Sequence, residues 1–149
     1  MRISLFRRLT AVAVTLAFAG VAGIAAALDR TAAPAGVQLY FIQLKDHARV
    51  HSPVTVRFGL TGMGVAPAGV TFENTGHHHL LIDTAMPADL SVPLPAVDGK
   101  ALHFGKGQTE TVLTLAPGHH TLQLVLGDSR HVPFDPIIAS PVLHIDVTP

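Results

Sequence analysis

Apolar and polar residues alternate through most of the chain. "PVTVRFGL" (Pro53–Leu60) places Val54, Val56, Phe58 and Leu60 on one face. "HTLQLVLG" (His120–Gly127) places Leu122, Leu124 and Leu126 on one face and Thr121, Gln123 and Val125 on the other. "PVLHIDV" (Pro141–Val147) turns Leu143, Ile145 and Val147 inward and His144 outward. A repeat of two is that of an extended strand, whose successive side chains point to opposite faces. "VQLYFI" (Val37–Ile42), "HHLLID" (His78–Asp83) and "ETVLTL" (Glu110–Leu115) are β-rich runs of strand length. Gly- and Pro-rich turns such as Ala116–Gly118 separate the strands. No segment carries the spacing of an amphipathic helix. The pattern predicts an all-β domain, an immunoglobulin-like antiparallel β-sandwich of about seven strands.

The N-terminal stretch follows another logic. "MRISLFRR" is basic, the run to Ala27 is apolar and uncharged, and Ala25–Ala27 fits an A-x-A cleavage site. This reads as a signal peptide removed before Leu28. The alternative is an uncleaved membrane anchor, because the run approaches the ~20 residues of a spanning helix. The expected organisation is a signal peptide over 1–27, a linker over 28–36 and the β-sandwich domain over 37–149. The expected location is periplasmic or secreted, with membrane attachment only if the leader is retained.

Composition narrows the function classes. Basic and acidic residues number ten each. Removing Arg2, Arg7 and Arg8 with the leader leaves seven basic against ten acidic, a net −3. That offers no field for nucleic acid. Cysteine is absent, which excludes disulfides, thiolate metal sites and thiol nucleophiles. Tryptophan is absent and tyrosine occurs once, which argues against stacking platforms for sugars or bases. The outlier is histidine, with ten residues.

Two connections exceed hairpin length. One runs from Thr84 to about Phe104 with prolines at 87, 93 and 95; the other runs from Asp128 to Ser140 with prolines at 133 and 136. Long, proline-stiffened loops in a small domain favour function. The first carries His103 and the second His131.

Neutral imidazole is a ligand for Cu(II) and Zn(II). His77 and His79, in "NTGHHHLLID", stand at i and i+2 of a strand, so both rings leave the same face ~6.5–7 Å apart. His78 points the other way, with Leu80 and Ile82. A sandwich gathers its loops at its ends, so His103 and His131 are candidates to join the pair. The expected metal ligands are His77, His79, His103 and His131, with His78, His120, Asp83 and Asp128 as alternates or outer supports. Glu110 is a further candidate carboxylate. His120 is in phase with Leu122 and reads equally as a hydrogen-bonded residue at the core edge. His47 and His51, in a turn, and His144 read as surface residues, His119 as exposed, and Met63 and Met86 as gap fillers rather than thioether ligands. The alternative for the cluster is a metal-free hydrogen-bonding network.

The segments "SPVTVRFGLTGMGVAPAG", "NTGHHHLLID", "HFGKGQTETVLTLAPGHHTLQLVLGD" and "HVPFDP" together resemble a family of small exported bacterial all-β domains of unknown function. The resemblance covers Val37 to Val147. It implies a compact β domain behind a signal peptide, with histidines at positions matching His77, His78, His79, His103, His120 and His131. The family often has histidine where this chain has Phe134, and usually another residue at His119.

No nucleophile elbow, H-E-x-x-H or phosphate loop occurs, so an enzyme is not expected, with a small metal-dependent hydrolase left open. The expected function is an exported, non-catalytic binding protein for Cu(II) or Zn(II). The alternative is a metal-free interaction or envelope-structural module with a pH-sensitive histidine network and an envelope protein as partner.

Overall fold

The computed structural model describes residues 29–149. The signal-peptide reading falls on residues outside this range. Among the described residues there are nine strands: β1 (Gln38–Ile42), β2 (Ala48–His51), β3 (Val54–Thr61), β4 (Gly64–Val65), β5 (Thr75–Ile82), β6 (Ala101–His103), β7 (Glu110–Leu113), β8 (Gly118–Gly127) and β9 (Leu143–Thr148). They form a three-stranded sheet, β1-β3-β7, and a six-stranded sheet, β2-β9-β8-β5-β4, with β6 added against β5. The all-β, two-sheet architecture is the one the alternation predicts, and among the described residues there is no helix.

The six expected strands all form, and three more appear. β2 lies where a turn was expected, and β6 lies inside the first long connection. β2 pairs parallel with β9 and β4 pairs parallel with β5, so the sandwich is not wholly antiparallel. β5 begins at Thr75, ahead of the expected start at His78.

The two sheets close on one core. Val54, Val56 and Phe58 of β3 meet Leu80 and Ile82 of β5, Leu122, Leu124 and Leu126 of β8, and Ile145 and Val147 of β9. These are the inward positions of the alternation. β5 departs from it, because it is buried on both faces from Gly76 to Ile82. Its other face is roofed by the first long connection, where Leu94 and Ala101 pack with Leu81 and Val125 in a second, smaller core that Met86 borders.

The second long connection runs beside β8. Leu126 N–H donates to the Ile138 carbonyl at 2.9 Å and Ser140 N–H to the Leu124 carbonyl at 2.9 Å. These bonds satisfy the edge of β8 beyond its pairing with β9. Thr31 and Ala32, within the linker expected over 28–36, lie against this loop: Ala32 bridges Asp135, and the Thr31 hydroxyl donates to Asp128 at 2.7 Å.

Candidate metal centre

Four imidazoles converge above β5, on the face turned away from the inter-sheet core. His77 and His79 share that face by the i, i+2 rule. His103 stands directly opposite His79 across the β5–β6 ladder, so its side chain leaves the same side. His77 stands opposite Gly127, the last residue of β8, and the turn that follows Gly127 brings His131 back over the group.

That turn is built by Asp128. Its carboxylate accepts the N–H groups of Arg130 at 2.8 Å and Val132 at 3.0 Å. The His131 N–H donates to the Asp128 carbonyl at 2.9 Å. These bonds hold His131 in the left-handed region, at φ 70°, which is uncommon for a residue with a Cβ. The first long connection supports the turn, its Leu94 N–H donating to the His131 carbonyl at 2.8 Å. Both loops therefore meet at His131.

Two glycines leave room for the rings. A Cβ on Gly105 would stand 2.2 Å from His103 Cε1, and one on Gly127 would stand 3.0 Å from His79 Nε2. A side chain at Gly105 collides with the imidazole, and one at Gly127 crowds it.

The six ring-centroid separations describe the group. They are 4.9 Å for His77–His79, 5.0 Å for His77–His103 and 4.9 Å for His77–His131. They are 5.0 Å for His79–His103, 5.9 Å for His79–His131 and 4.7 Å for His103–His131. Four points nearly equidistant from one another mark the corners of a tetrahedron; a planar square would make its diagonals ~1.4 times its edges. His77 Nε2 and His79 Nε2 lie 3.1 Å apart. Ring nitrogens of His77, His103 and His131 all lie within 4.8 Å of one another.

Burial grades across the cluster. His77 and His79 are almost wholly buried, His131 is half-buried and His103 is exposed. Burial, reinforced by the neighbouring imidazoles, pushes His77 down to about 4 and His79 to about 3. Burial, then His131, lowers His103. The two deepest rings are thus neutral near neutrality, the state that binds metal.

The other candidates lie elsewhere. His78 faces the inter-sheet core, 5.1 Å from the Phe58 ring, and neither of its ring nitrogens has a hydrogen-bond partner. Burial pushes it down to about 4. It is therefore not an alternate ligand. Asp83 and His120 pair with each other at 2.7 Å, at the far end of β5. Six residues of strand separate Asp83 from His77, about 20 Å, so neither supports the cluster. His120 is held at the core edge, where burial works against its charge and the Asp83 carboxylate and Ala116 carbonyl outweigh it, raising its pKa.

Asp128 supports the cluster through the backbone of its turn. Burial raises its pKa, but the Thr31 hydroxyl, the Arg130 and Val132 N–H groups and the Arg130 side chain prevail and hold it below its ordinary value. Glu110 pairs with Arg57 at 3.1 Å on the outer sheet. Phe134 is buried in the core, so the four-ring group does without a ligand there. His119 is exposed, as expected.

Sequence reasoning missed Gly105 and Gly127, whose roles depend on cross-strand register. It also missed a second group, Asp46, His47 and His144, whose donor atoms lie within 4.8 Å of one another.

Comparison with known proteins finds one family. No curated protein and no solved structure matches the chain. The family model described as domain of unknown function DUF4399 matches residues 56–148. That span holds all four clustered histidines and both glycines that make room for them. With more than half of its length matched, the chain belongs to the DUF4399 family of domains of unknown function.

Proposed function

We propose that this protein is an exported, non-catalytic binding protein that coordinates one transition-metal ion, Zn(II) ahead of Cu(II), through His77, His79, His103 and His131. The observation that carries the reading is the near-tetrahedral disposition of four imidazoles. With metal–nitrogen bonds of ~2.0–2.1 Å, four rings around one ion place their centroids roughly 5 Å apart. The six separations of 4.7–5.9 Å bracket that value. Tetrahedral nitrogen donors suit Zn(II), whereas Cu(II) prefers a tetragonal arrangement.

The burial gradient also supports the reading. His77 and His79 form a rigid floor, and the ion enters past His103 and His131. Ring nitrogens of His77, His103 and His131 within 4.8 Å of one another are close enough for one ion to draw them together. Four protein donors fill a four-coordinate ion and leave no position for an activated water, which favours binding or buffering over hydrolysis. Export rests on the basic and apolar leader and its A-x-A site.

Zinc titration against a chromophoric chelator tests the proposal. The wild-type protein competes for Zn(II) with high affinity, and the His77→Ala/His79→Ala variant loses that competition. Full affinity in the double variant refutes the site. In that case the 3.1 Å contact between His77 Nε2 and His79 Nε2 is a hydrogen bond in a metal-free network.

A further inference from the structure

A second set of metal donors lies on another part of the molecule. Asp46 and His47 end the turn before β2, and His144 belongs to β9. β2 and β9 pair from Ala48 opposite Ile145 onward, so their parallel ladder holds residues 46–47 beside residue 144. Two hydrogen bonds hold this arrangement: the His47 backbone N–H donates to the His144 carbonyl at 2.7 Å, and the His144 backbone N–H donates to the Asp46 side chain at Oδ1, 2.7 Å away. His47 takes a left-handed φ of 59°, and its ring stacks on that of His144 with centroids 5.4 Å apart.

The Asp46 carboxylate faces both rings. Oδ1 is 3.1 Å from His144 Nδ1, and Oδ2 is 3.4 Å from His47 Nε2. One donor atom from each of the three residues lies within 4.8 Å of the other two. Two imidazoles and one carboxylate are a recurrent donor set for divalent transition metals, and three ligands leave coordination positions open. Of the three donors, His47 and His144 border a cavity of about 330 Å³ that His119, His120 and Ile145 also line. Asp146 and Asp83, also on its walls, are each engaged by an imidazole of their own, His119 and His120 respectively.

We infer that Asp46, His47 and His144 form a second, solvent-open site for a divalent transition-metal ion such as Zn(II) or Co(II), independent of the four-histidine centre. Its three donors and open positions make it the weaker and faster-exchanging of the two. Its exposure makes it the first site met by an ion from solution.

Equilibrium dialysis of the full-length protein against Co(II) or Zn(II), with bound metal counted per chain, tests this. The wild type saturates at two ions. His47→Ala/His144→Ala removes one and keeps the other, and because both side chains are exposed the fold survives the change. His77→Ala/His79→Ala removes the other ion and keeps this one. His119→Ala, which deletes an exposed imidazole outside the triad, keeps both. Saturation at one ion that His47→Ala/His144→Ala leaves in place overturns the inference while sparing the four-histidine reading. Loss of the second ion on His119→Ala also overturns it, as general binding by surface imidazoles. A single ion lost only on His47→Ala/His144→Ala upholds this site and refutes the four-histidine one.

Discussion

Replacing His78 by leucine stabilises the metal-free protein, and more so in acid than at neutrality. The His78 ring is fully buried between the sheets against Phe58. Only the Gln108 backbone approaches it, without meeting hydrogen-bond geometry. A buried polar group without a partner costs about 1–3 kcal/mol, which leucine of similar size relieves.

The acid effect adds to this. In the folded chain the ring titrates at about 4, against an ordinary 6.5. The unfolded chain therefore takes up the proton first. The penalty is absent above pH 6.5, grows by about 1.4 kcal/mol per pH unit below it, and levels off below about pH 4. At pH 5 it reaches about 2 kcal/mol, so His78→Leu gains roughly 1–3 kcal/mol at pH 7.5 and roughly 3–5 kcal/mol at pH 5. His77 and His79 impose similar acid penalties, but on wild type and variant alike, so they cancel in the difference. Urea unfolding of both proteins at the two pH values, with chelator present, measures the effect. A stability difference independent of pH, or a variant less stable than the wild type at both values, refutes the reasoning.

Further predictions concern the metal centre and its surroundings. Gly105→Ala displaces the His103 ring, because its Cβ would stand 2.2 Å from Cε1, and Zn(II) affinity falls by about 10–100-fold with the fold retained by circular dichroism. Unchanged affinity would show that His103 is not a ligand. The logarithm of Zn(II) affinity rises with pH between 5 and 7 with a slope of at most about two. His77 and His79, held to about 4 and 3, release no proton on binding in that range. A slope near four in a competition titration would mean that all four rings titrate normally. Asp83→Ala removes the acceptor for His120 and the Thr121 N–H, costs about 1 kcal/mol in denaturant unfolding, and leaves Zn(II) affinity as it was. A loss of affinity would tie the two ends of β5 together.

β3 was legible because it has one buried and one exposed face, and β8 because its leucines recur at every second position although its other face is partly covered. β5 was the difficult case. Both its faces are covered, so no polar face in the sequence marks how deeply its histidines are buried. β2 is four residues long and depends on a parallel partner almost a hundred residues away, and β6 has three residues in a proline-rich connection. Such pairings leave no local period to read. At the site, the common face of His77 and His79 follows from strand geometry alone. The position of His103 required the β5–β6 register, and that of His131 required the Asp128 turn. Asp83, a candidate support by its closeness in sequence, lies at the far end of β5, because closeness in sequence means distance along an extended strand.

The most direct test is X-ray absorption spectroscopy of the protein loaded with one equivalent of Zn(II). Four imidazole nitrogens in a single shell at about 2.0 Å, with the outer-ring scattering of four histidines, are the result expected of a tetrahedral centre. A longer shell dominated by oxygen, or zinc that dialyses away before the measurement, would contradict it.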